Sequence, residues 1–232
     1  MTEQTETYTK LQKLIKIKFH NLKHLRMALT HPSFVNEVDE ELSSYQRLEF
    51  FGDAILEFIA SEQLYKRFQE IQEGRLTEIR AALVRTENLA KCARKINLGD
   101  YLFLSKGEHL NSGRNNENIL ADALEALMGA IYLDQGLEVV KTFFNTYILE
   151  ELEEIVEKKL YLDAKTVLQE KLQASYKITP QYKLIKEVTN KDMETIFVVG
   201  VYKESTLIAE GSGRNKKRAE QAAAVNALSK LK

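Results

Sequence analysis

Four carboxylates in this chain stand where side chains of their kind are costly. The segment Leu48–Ile59 reads LEFFGDAILEFI, apolar nearly all round and expected to be buried, yet it carries Glu49 and Asp53. Ile119–Leu133 reads ILADALEALMGAIYL and carries Asp122 and Glu125. On a helix, i, i+4 spacing sets Glu49 and Asp53 about 40° apart, and i, i+3 spacing keeps Asp122 and Glu125 on one face. An ionised carboxylate among apolar groups needs a compensating charge. Few Lys or Arg lie in either segment, and Arg47 is the nearest. A divalent cation would compensate: Mg²⁺ takes oxygen ligands from one or two carboxylates, with water and substrate phosphate completing its shell. Exposed or salt-bridged carboxylates remain the competing reading on spacing alone. Glu57 extends the Glu49, Asp53 series by a further ~40° and reads as structural or peripheral. A di-iron bundle would need Glu-x-x-His pairs, and His20, His24, His31 and His109 occur in none. Oxygen-only ligands favour Mg²⁺, with Mn²⁺ able to substitute.

The elements that would carry these residues are helical. Apolar residues recur at helical spacing in Leu11–Ile17, Leu48–Phe68, Leu76–Ile96, Ile119–Tyr132 and Leu137–Val156. Short breaks are expected at His31-Pro32-Ser33, Glu73-Gly74, Gly99-Asp100, Asn111-Ser112-Gly113 and Gln135-Gly136. After Leu160 the pattern changes. Asp163 is a plausible N-cap for a helix to about Tyr176. Three β-favouring runs follow, Gln181–Val188, Thr195–Tyr202 and Thr206–Glu210, with a turn at Lys203-Glu204-Ser205, and a helix over Lys217–Leu231 ends the sequence. The expected fold is therefore multi-domain: an all-α domain over residues 7–156, then a small α+β domain of α-β-β-β-α order over 162–232.

Charge separates the same two parts. Residues 161–232 hold 13 Lys+Arg and 8 Asp+Glu, a net of +5; subtraction from the totals of 33 and 34 leaves −6 for residues 1–160. A basic segment suits a polyanion and a carboxylate-rich one suits hard cations. Hydrophobic content of 44% permits a core without disulfides, and Cys92, the single cysteine, reads as a core residue. No stretch approaches a membrane span and residues 1–20 lack a signal-peptide pattern, so a cytoplasmic location is expected.

The segment Arg47-Leu48-Glu49-Phe50-Phe51-Gly52-Asp53-Ala54-Ile55-Leu56 closely resembles the signature of the ribonuclease III family. Ile119–Leu127 resembles the family's second metal-binding helix, and Ala28-Leu29-Thr30-His31 and Gly113-Arg114 also match family-typical positions. The resemblance spans essentially the whole chain. It implies an endonuclease that cuts double-stranded RNA by metal-dependent phosphodiester hydrolysis, leaving 5′-phosphate and 3′-hydroxyl ends with short 3′ overhangs. It implies that Glu49, Asp122 and Glu125 bind the metal and that Asp53 and Glu125 are most tied to catalysis. It also implies a homodimer of the catalytic domain, and processing of ribosomal and other precursor RNAs. Glu73 matches an accessory acidic position. Gln46 departs from the glutamate that many members carry, and altered cleavage-site preference is expected from it. His31, beside Pro32 at a helix end, is expected to cap or pack rather than act as a base.

Residues 163–232 resemble a double-stranded RNA-binding domain, through Asp163–Glu170 and Gly211–Ala224. Lys216, Lys217 and Arg218 open the final helix, where the helix terminus already favours phosphate. Such a domain reads A-form shape through 2′-hydroxyls and phosphates. Gln169 and Glu170 would reach 2′-hydroxyls, and Arg214, Lys216 and Lys217 would face phosphates. The segment Asn190-Lys191-Asp192-Met193 lacks the Gly-Pro-x-His often found there, so that contact is expected to be weaker. A non-cleaving regulator that binds duplex RNA is the alternative, and the presence of all four carboxylates argues against it.

Overall fold

The computed structural model describes residues 3–38, 43–189 and 195–231. The segment 190–193 falls outside the described residues. The chain divides into two compact units, 1–161 and 162–232.

In the first unit the helices are α1 (Glu3–Ile15), α2 (Leu22–Ala28), α3 (Pro32–Val35), α4 (Gln46–Arg67), α5 (Glu73–Val84), α6 (Thr86–Lys95), α7 (Leu98–Tyr101), α8 (Lys106–Leu110), α9 (Glu117–Gln135), α10 (Leu137–Tyr147) and α11 (Leu152–Glu157). Helix α9 is the axis of the unit. Its residues from Ile119 to Ile131 are buried except Asp122 and Glu125. Helices α2, α4, α6 and α10 pack around it, contributing Leu25, Leu56, Leu89 and Phe144 to one core. Asn116 starts α9 by accepting the Asn118 and Ile119 amides, which satisfies donors that a helix start leaves unpaired. Gly136, at φ 81°, ends it.

Helix α4 meets α9 backbone to backbone. A Cβ on Gly52 would overlap the Glu125 carbonyl, and one on Gly129 would lie 2.6 Å from the Leu48 carbonyl oxygen. Only glycine at both positions permits this approach. The crossing brings the Glu49 turn of one helix onto the Asp122–Glu125 turn of the other.

Several sequence expectations need correction. Helix α4 is not buried all round: Phe50 is 81% exposed, Phe58 54% and Tyr65 76%, so apolar composition here marks an uncovered face. The run Leu76–Ile96 is two helices. Arg85 is extended (φ −65°, ψ 153°), and the buried Asn88 side chain donates to the Leu83 carbonyl at 2.6 Å. No glycine or proline marks that break. The run Leu137–Val156 likewise breaks at Ile148, with a 3-10 turn over Leu149–Glu151. Gly74 breaks nothing; it lies in the first turn of α5, and the interruption is earlier, at 68–72. Gly99-Asp100 falls within α7.

The second unit consists of α12 (Ala164–Tyr176), β1 (Gln181–Thr189), β2 (Thr195–Lys203), β3 (Thr206–Gly213) and α13 (Lys216–Lys230), with an antiparallel sheet ordered β1-β2-β3. Asp163 caps α12 through the Thr166 amide at 2.8 Å, and Lys177 in the left-handed region closes it. Lys203 pairs with Thr206 around a two-residue turn at Glu204-Ser205. Strand β3 runs three residues past Glu210, because Gly211 and Gly213, poor strand formers, let the alanine face of α13 lie close on the sheet. The core is Leu168, Leu172, Val201, Ala209, Ala223, Ala224 and Ala227.

Candidate metal centre and nucleic-acid interface

The crossing of α4 and α9 gathers Glu49, Asp122 and Glu125 so that one carboxylate oxygen from each lies within 4.8 Å of the others. Among the described residues, no Lys or Arg forms an ion pair with any of the three. Burial raises all three carboxyls, and neighbouring carboxylates add to the rise at Glu125 and Glu49. Burial, then Asp53, Asp122, Glu49 and Glu57, pushes the Glu125 carboxyl up to about 8. Glu49 is raised by burial and by Asp122 and Asp53. Asp122 is raised by burial, which outweighs the opposing pull of His31 and the Tyr45 hydroxyl.

Partly buried carboxylates brought this close, with no ion pair to Lys or Arg among the described residues, are the donor set a hard divalent cation takes. The residues present therefore fit such an ion. Asp53, one turn along α4, is exposed and borders the group without joining it.

The accessory positions lie apart from that cluster. Gln46, in the first turn of α4, is exposed, accepts from the Ser44 hydroxyl at 3.3 Å and lines a cavity of about 850 Å³ with Met27, Arg47, Phe50, Phe51 and Leu133. Glu73 opens α5, accepts from the Thr77 hydroxyl at 3.3 Å and borders a groove with Phe58, Ser61 and Arg80. Glu57 is held by Arg80 at 2.8 Å, which gives it a structural partner. His31 is the N-cap of α3: its Nδ1 accepts the Ser33 amide at 3.0 Å, as expected of a capping histidine. One residue at the site was not found in the sequence. Tyr45, at the start of α4, is buried with its ring edge-on to that of His31, and burial, then the nearby Asp122 and Glu49 charges, push its hydroxyl's pKa up; a lone tyrosine ahead of the signature carries no signal.

In the second unit Gln169 and Glu170 are exposed on α12. Arg214, Lys216 and Lys217 are exposed at the entry to α13, whose N-cap is Asn215 accepting the Arg218 amide at 2.9 Å. Lys216 also leans toward β1 and β2, with Glu187 at 4.0 Å and the Phe197 ring centroid at 6.0 Å.

A helical unit with a cleft of convergent carboxylates, followed by a three-stranded sheet flanked by helices with a basic helix start, defines a nuclease joined to a duplex-RNA reader. The Ribonuclease-III-like family matches residues 21–152 and the double-stranded RNA binding motif matches 164–231. The chain is 43% identical to Ribonuclease 3 of Dehalococcoides mccartyi, over 95% of this chain and 93% of that one. It is 46% identical to Ribonuclease 3 of Syntrophomonas wolfei, over 88% and 86%. The nuclease domain of ribonuclease III from Campylobacter jejuni superposes with a TM-score of 0.57 at 40% identity, covering 61% of this chain and 95% of that one. Giardia Dicer, at 19% identity and a TM-score of 0.50, shares the fold. The chain belongs to the ribonuclease III family and is an endoribonuclease for double-stranded RNA.

Proposed function

We propose that residues 7–156 cut and residues 162–232 bind the duplex, with Glu49, Asp122 and Glu125 as ligands of Mg²⁺, or of Mn²⁺ in its place. The convergence of those three carboxylates within 4.8 Å carries the reading. When bound, Mg²⁺ supplies a Lewis acid for the scissile phosphate and the attacking water. Glu125, the most buried of the carboxylates, loses its proton readily only when positive charge is near. Asp53, exposed beside the ligands, is placed to accept a proton from solvent-borne water at the cleft mouth. Hydrolysis then leaves 5′-phosphate and 3′-hydroxyl ends. Gln46 and Glu73 line neighbouring clefts and act on substrate placement rather than on the ion. On the second unit, Gln169 and Glu170 meet 2′-hydroxyls while Arg214, Lys216 and Lys217 meet phosphates.

Two strands need two cuts, and each chain holds one cluster. We infer a homodimer through the uncovered face of α4, where Phe50 projects beside the 850 Å³ cavity. The Campylobacter jejuni nuclease domain has a region involved in dimer formation, which supports this. Among the described residues no helix is long and apolar enough to cross a membrane; with one buried cysteine, the reading places the enzyme in the cytoplasm, acting on ribosomal and other precursor RNAs.

The direct test is a long RNA duplex incubated with the protein and Mg²⁺, then with a chelator, with product ends mapped by phosphatase sensitivity. Ion-dependent shortening to 5′-phosphate products is expected; equal cutting in chelator would overturn the metal reading.

A further inference from the structure

Residues 7–36 hold six Lys and Arg and no Asp or Glu, whereas the rest of residues 1–160 holds 14 Lys+Arg and 26 Asp+Glu. A basic segment thus sits inside the acidic unit, and the carboxylate centre uses none of its cations. In the fold, exposure alternates along the stretch that joins α1 to α2. Ile15, Ile17 and Phe19 are buried in the core, while Lys16, Lys18 and His20 face solvent. Lys23, also exposed, follows in the first turn of α2. Backbone positions that alternate in this way lie at most about 7 Å apart. Lys10 is paired with Glu6, but among the described residues Lys16, Lys18 and Lys23 form no ion pair. Glu138 borders Lys16 across a shallow groove and is itself drawn to Lys141 at 3.8 Å. Lys16 keeps its side chain at φ 57°, a conformation easier for glycine.

The stretch is fixed in place. The Asp134 carboxylate accepts the His20 and Asn21 amides, each at 2.8 Å, and the Gln135 side chain donates to the Lys18 carbonyl at 2.9 Å. The Gln12 side chain accepts the Phe19 amide at 2.8 Å. On α9, Asp134 lies about two and a half turns beyond Glu125, roughly 13 Å along the axis and on the opposite side of the helix. The basic strip is therefore anchored to the last turn of α9, facing away from the carboxylate cluster. Fixed cations without internal partners raise the local potential and gather phosphates. A membrane surface would need an exposed apolar face beside them, but Ile15, Ile17 and Phe19 point into the core, and only Leu14 and Leu22, before and after the strip, are partly exposed. We propose that Lys16, Lys18 and Lys23, with His20 among them, form a second RNA-contact surface on the catalytic unit. It takes the phosphate backbone of an RNA segment other than the duplex in the carboxylate cleft, such as the neighbouring helix of a branched RNA. This rests on the reading that the duplex is cut at Glu49, Asp122 and Glu125.

The experiment compares two RNAs: a lone hairpin, and a three-way junction that carries the same hairpin as one arm. Each is cut in Mg²⁺, and its binding is measured in chelator across a salt series, by the full-length parent and by a Lys16→Gln, Lys18→Gln, Lys23→Gln protein. Glu125→Gln checks the cleft separately: if it cuts the hairpin like the parent, the cleft is misplaced and this proposal falls with it. With the cleft upheld, the triple variant should cut the hairpin at the parent's kcat/KM. On the junction its kcat/KM should fall about tenfold or more, and the log–log salt slope should flatten by about one unit per lost phosphate contact. Parent-like behaviour on both RNAs would overturn the proposal. An equal loss on both would also overturn it, because the lysines would then contact the cut duplex itself. A lower Tm with unchanged RNA binding would assign the lysines to the end of α9 instead. Variant-sensitive binding to phosphatidylglycerol vesicles, with RNA binding unchanged, would assign them to a membrane. If the triple variant does not fold, Lys16→Gly with Lys18→Gln, where glycine suits the backbone at 16, is read by the same criteria. Failure of both to fold would make the strip structural and overturn the proposal.

Discussion

Gly52 of α4 rests against the backbone carbonyl of Glu125 on α9, with no room for a Cβ between them. Gly52→Ala must therefore push the helices apart at the point that sets the carboxylate spacing. Overpacking of this kind costs about 3 kcal/mol or more when the obstacle is backbone, which lowers Tm by about 6 °C or more in a domain of this size. Gly74→Ala is the control: nothing lies within 4 Å of its Cβ position, and it sits in the first turn of α5. It should be neutral or raise stability by about 0.5–1 kcal/mol. Calorimetry on both proteins decides; equal Tm values would mean that the helices part freely.

Glu125→Gln should abolish most turnover, by about a hundredfold or more, while duplex binding in chelator persists. It should also stabilise the metal-free protein. The folded carboxyl is raised to about 8 from 4.5, so its burden is absent below the lower value, grows as pH rises through it, and is complete above 8. The glutamine protein should therefore outlast the parent in metal-free melts at pH 8–9 and match it near pH 4. Mg²⁺ should raise the parent's Tm and leave the variant's nearly unchanged.

Glu151 supplies the opposite case. Buried in the turn before α11, it is bound by Lys91 at 2.5 Å and Lys95 at 2.6 Å, and these partners overcome burial to lower its carboxyl below 4.5. Stability from this group is present above the unfolded value and disappears as pH falls through the lower, folded one. Glu151→Gln should cost about 1–2 kcal/mol at pH 7, between the exposed and buried limits, and the loss should vanish in acid. A pH series of urea midpoints measures it; a constant difference down to pH 2 would contradict the ion-pair origin.

Duplex binding by residues 162–232 should weaken steeply with salt through counterion release. Lys216→Ala with Lys217→Ala should weaken it further and flatten the log–log salt slope by about one unit per lost phosphate contact. An unchanged slope would show that both lysines face solvent.

A mixed dimer of one parent chain and one Glu125→Gln chain, purified with two tags, should nick RNA. Native gels should show an intact duplex and denaturing gels one cut strand. Double-strand breaks from this species would mean that one cluster serves both strands.

The helical pattern, the α-β-β-β-α order and the two carboxylate pairs on apolar helices were legible in the sequence because each is a local regularity of spacing or composition; that Glu49, Asp122 and Glu125 gather while Asp53 stands outside came from the family resemblance and the crossing of α4 with α9. The family and the duplex-RNA activity followed from the signature segment and are upheld by the family matches. What escaped it depends on distant partners. The break at Arg85 arises from the Asn88 side chain reaching back to Leu83. The apolar residues of α4 serve two faces, and spacing alone does not say that Phe50 stays uncovered while Leu56 is sealed. Tyr45 is fixed by contacts distant in sequence, its amide on the Thr30 carbonyl and Thr30 in turn bridged to Phe103.

Cys92 is the chain's single cysteine, fully buried on α6, and burial pushes its thiol up to about 12. A thiol so protonated and enclosed reacts slowly with maleimides and peroxides. The native chain is thus already a blank background for labelling: one cysteine introduced on an exposed position would be the sole reactive site. A dye or spin label placed on either unit in turn could then follow that unit during a cutting cycle, with no cysteine first removed.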